Sequence, residues 1–93
     1  MQTIKRIEIL LPEALVQPCK DILNRETSLA YTVSVGLSVK NRQGLATAGL
    51  CDAAIILLCR PDSAEALCAK LKPFLTRFAA LATMAEVEAL NLH

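Results

Sequence analysis

One short patch is the only dense cluster of hydrogen-bond donors in this apolar chain. Lys40-Asn41-Arg42-Gln43 is preceded by Ser38 and followed by Gly44. A guanidinium such as that of Arg42 grips a phosphate or carboxylate through two parallel N–H donors, which suits anion recognition better than a lone amine. Lys40 adds a second positive charge, while Ser38, Asn41 and Gln43 add neutral donors and acceptors. Gly44 and Gly49 permit unusual backbone angles and close approach. Recognition of a small anion is the chemistry these residue types support. An ordinary solvated loop is the plainer reading of the same residues.

The other reactive side chains point to little chemistry. General acid–base or nucleophilic catalysis needs a positioned His, Cys or carboxylate pair. Glu86 and Glu88 share one face of a strand, and alternate positions on an open face are usually just solvated. No enzyme signature results. Cys19, Cys51, Cys59 and Cys68 form no C-x-x-C pair, and three of them sit in apolar periodic segments, as small buried hydrophobes do. Cys51 is the exception: its place at the end of the polar loop leaves exposure, and with it a redox role, open. No metal site is expected, since the single histidine is the terminal His93.

Composition sets the frame in which these residues are held. The 93 residues are expected to form a single domain, residues 1–93, with a modest core that a partner surface would help to stabilise. Hydrophobic residues make up 54% and aromatics only 3%, with a net charge of +1. Nucleic-acid binding is disfavoured, since it calls for a basic excess or aromatic stacking platforms. No apolar run reaches the roughly 18 to 20 residues of a membrane span. Met1 to Arg6 leads into a strand rather than a secretory signal, so a cytoplasmic soluble protein is expected.

The polar patch ends a long amphipathic strand. Tyr31, Val33, Val35, Leu37 and Val39 alternate with Thr32, Ser34, Gly36, Ser38 and Lys40, a period-2 pattern. Upstream, residues 4–11 read as a first strand that Pro12 ends, and Leu15, Cys19, Ile22 and Leu23 predict a helix over 15–26. Downstream, residues 52–59 predict a third strand, closed by Arg60-Pro61. Asp62, with Glu65 three residues on, then reads as the N-cap of a second helix. That helix carries Ala64, Leu67, Cys68, Leu71, Phe74, Leu75 and Phe78 as its apolar stripe, and Pro73 is expected to kink it or end its first half. Residues 81–90 form the fourth strand, with Leu81, Ala85, Val87 and Ala89 on one side and Glu86 and Glu88 on the other.

The order βαββαβ predicts an α+β, ferredoxin-like sandwich: a four-stranded antiparallel sheet with two helices on one face. The third strand is apolar on both faces, with Ala54, Ile56 and Leu58 opposed to Ile55, Leu57 and Cys59. A sheet greasy on both sides needs a second cover, and no third helix supplies one. Another copy of the chain is the expected cover, which makes a homo-oligomer, and a sheet-faced trimer is compatible with it.

Taken together, the pattern resembles the PII-like signalling proteins, and among them the carboxysome- and bicarbonate-transporter-associated, SbtB-type branch. The resemblance rests on Ala30-Tyr31-Thr32-Val33 leading into the loop, on Asn41-Arg42-Gln43 at the loop base, and on the terminal stretch from Phe78 to Leu90 with its Glu86-Val87-Glu88 step. It implies a homotrimer that binds an adenine nucleotide such as ADP or AMP as effector, with bicarbonate as a further ligand, in clefts between subunits. A flexible T-loop would dock on a bicarbonate or anion transporter or a carboxysome-related protein. The implied ligand contacts are Ser38, Lys40, Asn41, Arg42 and Gln43, with main-chain groups near Val87 and Glu88. Leu37, Ser38 and Lys40 stand where such proteins usually carry glycine. Two alternatives share the fold: a protein-interaction module without an effector, and a CutA-like trimer.

Overall fold

The computed structural model describes residues 2–26, 30–36, 51–78 and 80–90. Strand β1 (Gln2–Leu11) leads through a 3-10 turn (Glu13–Leu15) into helix α1 (Val16–Arg25). Strands β2 (Tyr31–Val35) and β3 (Ala53–Cys59), helix α2 (Pro61–Phe78) and strand β4 (Leu81–Ala89) follow. The sheet order is β2-β3-β1-β4 with antiparallel neighbours throughout, the α+β, ferredoxin-like arrangement that the element order predicts.

Alternation along β1 and β3 decides what each face of the sheet buries. Ile7, Ile9 and Leu11 lie opposite Leu57, Ile55 and Ala53, and all six are buried on the helix side. Cys19 and Leu23 of α1 and Leu67, Leu71 and Phe74 of α2 cover them. Each fully buried Leu or Ile side chain contributes roughly 1.5 to 3 kcal/mol, so this layer supplies most of the stability. The other face carries Ile4, Arg6, Glu8 and Leu10 of β1 beside Ala54, Ile56 and Leu58 of β3. Leu10, Ala54 and Cys51 make a second small cluster there, with Leu81 packed against it. Leu58 on the same face is 51% exposed.

Several sequence expectations change in detail. Helix α1 starts later than position 15, because Glu13–Leu15 winds as a 3-10 turn, and Pro18 then falls in its first turn, where a missing N–H costs little. Helix α2 starts at Pro61, whose fixed φ suits the first helical position. Asp62 therefore lies inside the first turn rather than at the N-cap, and the carbonyl of Arg60 accepts hydrogen bonds from the amides of Ser63 and Ala64. Pro73 does not end α2, which runs on to Phe78. Pro73 is exposed, so the carbonyl it leaves unbonded can meet water, while Leu71 and Phe74 hold the stretch onto the sheet. Strand β2 is described to Val35, with Gly36 at a φ of +69°, and the rest of the expected strand lies outside the described residues.

The exposure left open for Cys51 is ruled out by its packing. The residue is 2% exposed, packed with Leu10 and Ala54, and burial followed by the charge of Asp52 pushes its thiol pKa up. A thiol held protonated is a poor nucleophile, which argues against redox chemistry at this position.

Candidate functional site

The expected anion-binding residues fall into two groups in the fold. Ser38, Lys40, Asn41, Arg42 and Gln43 lie outside the described residues, but both stems of their segment are described. Val35 pairs with Ala53, so the two ends leave the sheet side by side at the end of the β2–β3 hairpin. On the β3 side Asp52 is tied down, since its carboxylate accepts a 2.6 Å hydrogen bond from the backbone amide of Glu13. Cys51 next to it is buried under Leu10.

Val87 and Glu88 sit elsewhere, on the edge strand β4, paired with Ile4 and Thr3 near the start of β1. Two strands, β3 and β1, separate β4 from β2, which is about 14 Å across the sheet at the usual strand spacing. Val87 also lies six residues along β4 from Leu81, the residue level with the loop end, which adds about 20 Å along the strand. The loop stems and the Val87–Glu88 step thus occupy diagonally opposite corners of one sheet.

The corner around Val87 has its own relief. A cleft of about 430 Å³ is lined by Gln2, Thr3, Ile4, Arg60, Pro61 and Asp62. A smaller hollow of about 180 Å³ adjoins it between Ile4, Leu58, Cys59 and Arg60. Arg60, exposed at the junction of β3 and α2, lines both. In the sequence Arg60 reads only as a strand terminator; the signal for more is a cation set directly after a wholly apolar strand.

The carboxylates of β4 part company. Glu86 lies on the helix side and accepts a 2.6 Å hydrogen bond from Lys5 Nζ, which, with the lysine's charge, lowers its pKa. Glu88 is exposed opposite Thr3. Among the described residues, no three His, Cys, Asp or Glu side chains converge as metal ligands. No described helix is long and apolar enough to cross a membrane.

The fold defined here is shared with PII-like proteins among solved structures. One is CPII, a nitrogen regulatory PII-like protein from Thiomonas intermedia K12, solved with ADP, AMP and bicarbonate bound. It superposes with a TM-score of 0.76 at 19% identity, covering 99% of this chain and 98% of that one. A protein described as a PII-like signalling protein, from Thermus thermophilus, gives a TM-score of 0.68 at 14% identity over 91% of this chain and 86% of its own. The regulatory subunit of aspartate kinase from Thermus flavus shares the fold at a TM-score of 0.61 and 11% identity, over 90% of this chain but 51% of that one. No protein-family model matches the sequence, and no curated protein matches it. At these identities the likeness establishes the fold, which hosts unrelated functions, so function has to be argued from the site.

Proposed function

We propose that this chain is a non-catalytic PII-like regulator that senses an adenine nucleotide, ADP or AMP, together with bicarbonate. In this reading it acts as a cytoplasmic homotrimer whose ligand sites lie between subunits. One observation carries the proposal: a likeness running end to end with a PII-like protein that was solved holding ADP, AMP and bicarbonate. The diagonal separation of the two residue groups supports an intersubunit site, because a second chain is the simplest way to bring a Val87–Glu88 corner beside a loop stem. Arg42 and Lys40 would meet the phosphates and Ser38, Asn41 and Gln43 would add neutral hydrogen bonds. The backbone at Val87 would border the base. The Glu88 carboxylate repels phosphate but accepts hydrogen bonds, which suits a ribose hydroxyl.

Within the family, the Glu86-Val87-Glu88 step and the loop-base Asn41-Arg42-Gln43 favour the SbtB-type branch, and with it a role in inorganic-carbon uptake or carboxysome function. The segment 37–50 would then be the part that docks on a bicarbonate or anion transporter or a carboxysome-related protein. A second reading, an interaction module of the same fold without an effector, is favoured by the presence of Leu37, Ser38 and Lys40 where PII-like proteins usually carry glycine, since side chains at such positions would crowd a phosphate approaching the backbone.

Calorimetry with AMP, ADP, ATP and cyclic AMP, each with and without bicarbonate, separates the two. Heat with ADP or AMP that disappears in Arg42→Ala supports the sensor. Silence with all four nucleotides favours the interaction module.

A further inference from the structure

We infer that Arg6 and Glu8 set the register in which copies of this chain pack sheet to sheet, each Arg6 being shared between its own Glu8 and Glu8 of the next copy. The inference rests on the self-association proposed above and assigns the residues that direct it. Both side chains project from the central strand β1 onto the face that no helix among the described residues covers. Arg6 lies between Leu58 and Ala85 on the flanking strands, and Glu8 between Ile56 and Thr83. Along β1 itself they are bracketed by Ile4 and Leu10, both buried. An ordinary interface has an apolar centre and a polar rim. Here the charge stands in the middle and the apolar side chains surround it.

Within one chain the two are poorly satisfied. Their closest approach is 3.8 Å, with side chains 39% and 30% exposed, and neither makes a hydrogen bond among the described residues. A guanidinium has five N–H donors and a carboxylate about four acceptor positions, so this contact leaves most of them to water. Covering the face removes that water, at a cost of several kcal/mol per ion unless new partners arrive. The partner must therefore bring both an anion and a cation at matching spacing. No other charged side chain among the described residues of the four strands points to this face, since β2, β3 and β4 present only Thr32, Ser34, Thr83 and apolar groups there. A second copy brings one charge of each sign, two residues apart, and adds no net charge at the centre of the joined faces, while Arg60 lies at their border, at the end of β3. In a ring of three copies the six charges alternate in sign.

Sedimentation of the full chain at micromolar concentration tests this with two charge reversals and their combination. Arg6→Glu leaves two acids on the face and Glu8→Arg leaves two bases, and each is expected to weaken self-association roughly 100-fold or more, since like charges face to face cost several kcal/mol. The double reversal keeps the alternation and is expected to assemble like the wild type, which also shows that the fold tolerates both changes. An equimolar mixture of the two single variants is expected to co-assemble, because the acidic face of one fits the basic face of the other. A pair that worked only within its own chain would leave both single variants assembled, and that result overturns the inference, as does a mixture that stays dissociated when each variant alone has dissociated. If the wild type itself sediments as a single chain, the intersubunit sensor falls with it. A wild-type assembly that both single variants retain removes only the role given to Arg6 and Glu8.

Discussion

The Asp52 carboxylate accepts a 2.6 Å hydrogen bond from the backbone amide of Glu13, across a sequence separation of 39 residues. Glu13 opens a 3-10 turn whose own preceding residue, Pro12, supplies no side-chain cap. Asp52 thus serves as a cap from another part of the chain, and it fixes one stem of the segment 37–50 to the β1–α1 connection. Losing a cap of this kind costs about 1 kcal/mol. Asp52→Ala is therefore expected to lower the unfolding free energy by that amount, seen as a lower urea midpoint at unchanged slope, while Asp52→Asn keeps an acceptor oxygen and most of the stability. Equal loss in both variants would mean that the charge, rather than the hydrogen bond, matters.

Helix α2 carries a built-in weakness at Pro73, which removes one internal hydrogen bond from an otherwise continuous run. The residue is exposed, so its ring buries little that a methyl group would lose. Pro73→Ala is expected to stabilise the chain by about 1 to 3 kcal/mol, less than the full propensity difference because proline also restricts the unfolded chain. A drop in stability on chemical denaturation would show that the proline is needed to shape the helix.

How far the fold was legible follows from what periodicity can encode. Alternation in residues 4–11 and 52–59 reports which side chains share a face, and β1 and β3 pair in that parity. For β4, parity alone does not say which side meets the helices. Val87 pairs beside Ile4 on the helix-free face, whereas Glu86 and Glu88 fall on the helix side, near the end of the sheet. The helix starts shifted because Pro61 is at its best at the first helical position, which displaces Asp62 from the cap. The candidate site was legible as a list of polar residues. Its split into two distant corners was not, since separation across a sheet depends on strand order, which no local spacing contains.

Glu86 and Lys5 offer a direct check on the electrostatics. The lysine's hydrogen bond and charge lower the Glu86 pKa below its usual 4.5. A depressed carboxylate pKa stabilises the fold above its unfolded value, and that contribution fades as pH falls from about 4.5 through the folded pKa. Carbon-detected titration of Glu86 should give a midpoint below that of a free glutamate, returning to the ordinary value in Lys5→Met. An unchanged midpoint in the variant would remove Lys5 as the cause.

Thiol reactivity should rank the four cysteines by burial. Cys19 is fully buried and its pKa is raised to about 11, while burial also raises those of Cys51 and Cys59. Cys68, on α2, is the half-buried one. Iodoacetamide followed by peptide mass spectrometry should modify Cys68 first in the native protein and reach the other three only on unfolding. Early labelling of Cys51 would place it outside the Leu10–Ala54 cluster.

Leu58 projects from the sheet face that no described helix covers, and it lines the hollow shared with Arg60 and with Ile4, the residue paired with Val87 of the proposed ligand site. At 51% exposure it contributes little to the core of a single chain, so Leu58→Asp should leave the circular dichroism spectrum and the folded state intact. The added carboxylate lies beside Arg6 and upsets the one-to-one match of charges between copies as water is removed, so self-association should weaken roughly 100-fold. A site that needs two chains must then lose ADP binding in step with assembly as concentration is lowered. If the dissociated variant binds ADP as tightly as the wild type, the ligand sits within one chain, and the separation of its two corners has been bridged without a neighbour.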